Sequence, residues 1–299
     1  MATQVAPGSR AGKGARRVTR NAAVALGPPA QATGARAYRR VWRGGLARQA
    51  LAALAPAVAG LALLAVWQFT VKVTGVSAFL VPGPEAVLQS FVAAVTNGMI
   101  PHYAVVTIEE SLTGFITGAL IALPLGYAVA RNRALAAALE PYLAASQAVP
   151  AVALAPLLVL LLGYGVTPVT ALCALIVFFP AAVNTTLGFR TLDHEVLDAA
   201  RLDGAGWWAM LWDIEAPLAL PSILAGLRAS LTLSVTGAVV GEFVIGDQGL
   251  GGLLTIARGN FDAPLVFATL LALAILAVTL YGVARLVERL IIAHYALEA

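Results

Sequence analysis

Six stretches of the chain are apolar over about the 20 residues that a helix needs to cross a bilayer. They lie at 51–73, 104–130, 141–162, 168–188, 218–244 and 264–287. Apolar residues follow one another in these runs instead of alternating, as the strands of a membrane barrel would require. The pattern predicts an all-α, polytopic membrane protein with six transmembrane helices. Polar stretches set its organisation: a tail at 1–49, a first transmembrane helix at 50–73 and an external segment at 74–103. A transmembrane core follows at 104–289, with a long polar loop at 189–217 inside it, and a C-terminal tail at 290–299. In the external segment, the turn residues Pro82-Gly83-Pro84 precede an amphipathic run at 86–95, read as a short helix on the outer face. Pro124, Pro150, Pro156, Pro180 and Pro221 fall in or beside the spans. The carbonyls they free must be re-satisfied by neighbouring helices, so these helices are expected to face protein.

Composition strengthens the membrane reading. Of 299 residues, 60% are hydrophobic and 11% charged, against about half and about a quarter in soluble domains. So few charges cannot coat a water-facing surface of this size.

The basic residues set an orientation. Ten of the 19 Lys and Arg lie in the first fifty residues, where there is no Asp or Glu. With a cytoplasmic N-terminus, Arg131, Arg133, Arg190, Arg201, Arg285 and Arg289 also fall inside, while Lys72 and Arg258 fall outside. Arg228 lies within the fifth span, close enough to its inner end to snorkel. Both termini are therefore expected to be cytoplasmic. The tail, rich in Gly, Ala and Pro, lacks the periodicity needed to fold. It reads best as a disordered basic segment against anionic lipid. A transit peptide or a nucleic-acid arm fits less well, since no aromatic-interleaved module follows. A cleavable secretory signal is not expected, because the first long apolar run begins near Leu51.

Candidate chemistry is sparse. Cys173 is alone in an apolar run, and His102, His194 and His294 are scattered, so neither a disulfide nor a metal site is expected. No phosphate-binding loop is present: neither Lys13 nor Lys72 is followed by Ser or Thr. No nucleophile–base arrangement stands out, so the chain reads as a non-enzyme with no cofactor and no metal. Ser146, Gln147, Asn184, Ser230, Ser234 and Thr236 are polar residues in spans. They suit helix–helix hydrogen bonds or a solute path, with Ser146, Gln147, Asn184 and Ser234 as pathway candidates. Glu109, Glu110 and Glu242 are acids at or inside span ends, where a carboxylate either reaches water or a basic partner or serves a path. Glu242 is the strongest gate candidate.

The 189–217 loop is the most informative segment. Asp193, Glu195 and Asp198 would complement the dipole of a short helix starting near them. Asp203-Gly204 should turn the chain. A second short helix from 207 to about 214 is expected to end before Pro217, which would open the fifth span. Trp208 and Trp212 would share a helical face, and with Trp207 they suit either a lipid interface or a protein partner.

Asp198-Ala199-Ala200, Gly204 after three residues, Ile214 after nine more and Pro217 after two resemble the EAA loop of ABC-importer permeases. That pattern is Glu-Ala-Ala, three residues, Gly, nine residues, Ile, one residue, Leu-Pro. Asp198 stands for Glu and Ala216 for Leu. The resemblance, over about 77–289, extends to Ser146-Gln147-Ala148-Val149-Pro150, Gly163-Tyr164-Gly165, Phe179-Pro180, Gly226-Leu227-Arg228, Gly241-Glu242-Phe243 and Gly249-Leu250-Gly251. It is with the nitrate, sulfonate, taurine and thiamine-pyrimidine-precursor group. It implies the type I ABC importer permease fold in a prokaryotic inner membrane, and no ATPase activity in this chain. The implied partners are two cytoplasmic ABC ATPase subunits, an external solute-binding protein and a second permease copy, identical or paralogous, with the lipid bilayer around them and no nucleic acid. Asp198, Ala199, Ala200, Gly204, Ile214 and Pro217 would form the ATPase-coupling loop. A thiamine-pyrimidine precursor or related heteroaromatic compound is the best-matched solute, with sulfonate, taurine or nitrate open. An ion-gradient-driven secondary transporter is the rival, but no repeated halves are evident to support one.

Overall fold

The computed structural model describes residues 55, 58–73, 75, 80–146, 148–245 and 248–298. The basic tail at 1–49 and Gln147 lie outside them. The chain divides into two units, Met1–Val66 and Trp67–Ala299. In the first, the described residues 55 and 58–66 are helical and all exposed; 58–66 begin α1 (Val58–Val73). The second holds the remaining elements: α2 (Pro84–Thr96), α3 (Met99–Arg131), α4 (Arg133–Ser146), α5 (Ala151–Leu162) and α6 (Val166–Arg190). Then come α7 (His194–Leu202), α8 (Trp207–Ala209), a π-helical turn (Met210–Glu215), α9 (Ala216–Ile245), α10 (Gly249–Gly259) and α11 (Ala263–Glu298). No strand occurs among the described residues.

Among the described residues, four helices are long and apolar enough to cross a membrane: α3, α6, the continuous helix Trp207–Val244 and most of α11. The shorter apolar helices Val58–Val73 and Val152–Leu162 fall in the first and third expected spans. The third span departs from expectation, because 141–162 is not one helix. The tight turn bonds from Ala148 N–H to the Ala145 carbonyl and from Val149 N–H to the Ser146 carbonyl close α4. Pro150 then caps α5 in extended geometry. Proline has no N–H to continue a ladder, and it pushes the preceding residue out of the helical region. Pro124, Pro156, Pro180 and Pro221, by contrast, lie inside helices.

The centre of the second unit is the row α3–α6–α9, with α3 against α6 the most extensive pairing. Small residues permit this approach. A side chain at Gly118 would bring a Cβ to 2.5 Å from the Ala174 carbonyl oxygen, and one at Gly126 would meet Thr185 Cβ at 2.7 Å. Ala94, Ile100, Val235, Leu250, Leu253, Ala272 and Leu276 join α2, α3, α9, α10 and α11 in one apolar cluster. A second cluster, of Ala122, Leu143, Ala181 and Ala182, joins α3, α4 and α6. The expected amphipathic helix at 86–95 is α2, which buries Val87 and Ala94 and packs on α11. Cys173 is fully buried.

Arg228 has a partner on α11. Its Nη1 donates to Glu288 Oε2 at 2.6 Å across α9 and α11, and its guanidinium lies 5.5 Å from the centre of the Tyr281 ring. A lone guanidinium within a span is costly, and a carboxylate on the next helix offsets part of that cost.

Candidate functional site

Helix α7 begins where the sequence provides a cap. The Asp193 carboxylate accepts the Glu195 backbone N–H at 2.9 Å, satisfying one of the free donors of the first turn. Asp198, expected to lead the loop motif, pairs with Arg201 on the same exposed face at 2.6 Å. Leu197 is buried, Ala199 is exposed and Ala200 is half-buried. The helix ends in a Schellman arrangement. Gly204 N–H bonds to the Arg201 carbonyl, and Ala205 N–H reaches back to the Ala200 carbonyl, both at 3.1 Å. This closure requires the left-handed residue at its centre, and Gly204 has φ +85°. A Cβ added there would meet nothing within 4 Å. Gly204 is therefore set by backbone conformation, and its outer side is open.

After Gly204 the structure corrects the expectation of a helix ending before Pro217. Residues 207–244 run as one helix into the bilayer-length segment, through the π turn Met210–Glu215. Pro217 donates no hydrogen bond to the preceding turn. A widened turn just upstream is one way for a helix to absorb such a defect, and π turns recur at functional positions. Met210 and Glu215 are the buried residues of the turn. Trp207, Trp208 and Trp212 lie on the outside and are all more than half exposed. Their rings meet edge to face, Trp207 on Trp208 at 4.7 Å and Trp208 on Trp212 at 5.9 Å. Ile214 and Pro217 are half-buried where the loop joins α9.

The polar span residues are placed differently from one another. Ser146 lines a cavity of about 450 Å³ walled by Val149, Leu154, Leu175, Ile176, Phe179, Pro180 and Leu233. Its hydroxyl donates to the Leu143 carbonyl at 2.7 Å. Asn184 Nδ2 donates to the Pro180 carbonyl at 2.8 Å, and its side chain lies against Gly226 of α9. Ser234 is fully buried and donates to the Ser111 carbonyl at 2.5 Å, tying α9 to α3. Glu242 is 1% exposed, and its carboxylate accepts the Gly251 N–H at 2.6 Å. Next to that bond, Leu250 N–H donates to Thr107 Oγ1 at 2.8 Å. The start of α10 is thus fastened to α9 and α3 through its free N-terminal donors. Gly249, at φ +63°, leaves room for the Glu242 carboxylate.

Two further charged contacts surround the end of α3. Arg131 Nη1 lies 3.1 Å from Glu215 Oε1. Arg190, at the end of α6, pairs with Glu140 on α4 and donates to the Val129 carbonyl on α3 at 3.3 Å. Sequence reading missed these pairs. Each residue was visible as a charge near a span end, but its partner lies far away in the chain and no local periodicity links them.

Residues 114–293 match the family described as binding-protein-dependent transport system inner membrane component. A riboflavin transport system permease protein of Chloroflexus aurantiacus is 44% identical over 230 residues, which cover 77% of this chain and 86% of that protein. A formylaminopyrimidine transport permease protein of Halalkalibacterium halodurans is 29% identical over 244 residues, 80% of this chain and 95% of that protein. Among solved structures, a chain of the MetNI methionine ABC transporter in an inward-facing conformation matches with a TM-score of 0.55. That match covers 62% of this chain and 92% of that one at 17% identity, a likeness of fold. The chain belongs to the family of binding-protein-dependent transport-system inner membrane components: it is a multi-pass permease subunit of an ABC importer for a small solute, with the type I importer permease fold.

Proposed function

We propose that the 189–217 loop docks on cytoplasmic ABC ATPase subunits, and that the chain imports a heteroaromatic solute delivered by an external binding protein. The docking reading rests on one observation above the others. Asp198, Ala199, Ala200 and Gly204 form a small-residue helix end closed by a left-handed glycine, and after the short turn 203–206 the helix continuous with α9 begins at Trp207. A rigid end with little side-chain bulk can enter a groove on a partner, and a continuous helix carries its displacement into the membrane. Ile214 and Pro217 form the base of that lever. Two permease copies and two ATPases complete the assembly, and both termini are cytoplasmic, as the arginine distribution favours.

The solute reading draws on the relatives named for riboflavin and formylaminopyrimidine, both heteroaromatic. The cavity beside Ser146 suits it, since its walls are apolar side chains with one hydroxyl. We assign Ser146 and its neighbour Gln147 to the solute path. Ser234 ties α9 to α3 and Glu242 ties α9 to α10, while Asn184 bonds within α6 and packs against Gly226 of α9.

Reconstituted with its ATPase and binding protein, the complex should accumulate a labelled flavin or aminopyrimidine when ATP is supplied, and taurine or an alkanesulfonate in large excess should not compete. Competition by the sulfonate and none by the pyrimidine would overturn the solute assignment.

Topology has its own test. In a Cys173→Ala background, single cysteines at Ala205 and Asn260 should react with an impermeant thiol reagent from opposite sides of the membrane. Labelling of Ala205→Cys in intact cells would reverse the orientation.

A further inference from the structure

The end of α3 is a hub. Its last residue, Arg131, reaches the π turn, and just before it the Val129 carbonyl accepts from Arg190 of α6. Arg190 in turn holds Glu140 of α4. Glu215 is the unusual member of this group: the final residue of the π turn and 1% exposed, where a carboxylate is retained at a cost. Arg131 is its one ion-pair partner among the described residues. The contact is a close approach of charges, with no donor hydrogen aligned on either carboxylate oxygen.

We propose that Arg131 and Glu215 form the joint through which movement of the 189–217 loop is passed to α3. The proposal rests on the reading of that loop as the ATPase dock. Helix α9 follows the loop because it is covalently continuous with it through the π turn. Helix α3 has no such continuity. Its chain leaves toward α4, and without a tie at this end the loop could bend α9 and leave α3 behind. The pair supplies the tie where α9 begins, and Arg190 extends it to α6 and α4. A π turn suits this place because its widened hydrogen-bond pattern can change with less loss than a regular α-helical turn. An attractive pair then keeps α3 in register while the turn flexes. Arg131 is half-exposed, so its guanidinium can follow Glu215 without being drawn from water.

The test uses the whole complex in proteoliposomes, with Glu215→Gln, Arg131→Gln, Arg131→Lys and the double variant Arg131→Gln/Glu215→Gln. Three quantities are read: co-purification of the ATPase, ATP hydrolysed, and solute taken up per ATP. The two single Gln variants should keep the ATPase bound yet lose roughly tenfold or more in uptake per ATP, the scale of a typical coupling between sites. Arg131→Lys, which keeps the charge, should stay near wild type. The double variant should be no worse than either single one, because groups acting as a pair give non-additive effects. Wild-type uptake per ATP in both single variants would overturn the joint, as would single effects that multiply in the double. Loss of ATPase binding in the single variants would also overturn it, since the pair would then shape the dock itself. If Glu215→Gln does not reach the membrane, Arg131→Gln and Arg131→Lys carry the same comparison. The dock fails separately: Gly204→Asp retaining the ATPase would remove that reading whatever Glu215 does.

Discussion

Gly204→Asp should leave the protein inserted in the membrane while abolishing solute uptake and lowering the amount of ATPase that co-purifies. Two effects combine. Gly204 closes α7 with φ +85°, a conformation that costs an ordinary L-residue about 1–2 kcal/mol. Losing it would open the cap in which Ala205 N–H returns to the Ala200 carbonyl, and the following helix would leave in another direction. The added carboxylate would also stand on the open side of the turn, where the partner groove is expected. Gly204→Asn separates the two effects, because Asn enters the left-handed region more easily than most residues. If the backbone is what matters, Asn should retain more association than Asp. If close docking is what matters, both should fail alike. A bulky residue at half-buried Ala200 should behave as Asp does. Met210→Leu, buried in the same segment and close in volume, should cost less than about 1.5 kcal/mol and leave transport near wild type. Full ATPase binding and full uptake by Gly204→Asp would falsify the coupling assignment.

The loop was legible in sequence for local reasons. Asp193 as a cap, Gly204 as a turn and the spacing from Asp198 to Pro217 each concern neighbours in the chain, and neighbours are what a sequence displays. The apolar runs were legible because bilayer thickness sets their length. The π turn was not, because Trp207 to Glu215 has the composition of any short interfacial helix, and its continuity with α9 overrides the stop signal expected at Pro217. The break at 148–150 was hidden for the reverse reason. Pro150 was one of several prolines in or near spans, and their sequence context does not distinguish the one that precedes a new helix from those that lie inside helices. Pairings across the bundle, Arg228 with Glu288 and Arg131 with Glu215, depend on which faces of distant helices meet. The same holds for Ser234 and Glu242. They read as polar residues available to a solute, and in the structure Ser234 Oγ donates to the Ser111 carbonyl and Glu242 Oε2 accepts from Gly251 N–H. One overlooked signal was present: Gly114, Gly118, Ala122 and Gly126 recur every four residues on one stripe of α3. That spacing marks a close helix contact in membranes.

The stripe leads to the largest expected effect on stability. Gly118→Leu should strip the folded protein from the membrane, whereas Gly282→Leu should not. At Gly118 the new Cβ would stand 2.5 Å from the Ala174 carbonyl oxygen and 3.0 Å from Val177 Cβ. The first of these neighbours is backbone, held in the hydrogen-bond ladder of α6, so no rotamer change relieves the clash. The remaining atoms of the leucine could be placed only by forcing α3 and α6 apart. That separation would also draw Thr186 Oγ1 away from the Gly126 carbonyl, which it now reaches at 3.1 Å. Overpacking a well-packed contact costs about 1–3 kcal/mol, with larger values where the backbone must move. Dispersion and close packing, more than the hydrophobic effect, hold membrane helices together, so lipid offers no substitute for the close fit that disappears as the pair separates. Gly282 of α11 is the control. A Cβ there meets nothing within 4 Å, and replacing a mid-helix glycine by leucine gains up to about 1 kcal/mol of helix propensity. Thermal unfolding in detergent, read by loss of the monodisperse species, compares the two directly. Gly118→Leu should aggregate at the lowest temperatures or fail to accumulate, and Gly282→Leu should unfold at or above the wild-type temperature. Equal behaviour of the two variants would mean that α3 and α6 do not meet along this stripe, and the row α3–α6–α9 would have to be redrawn.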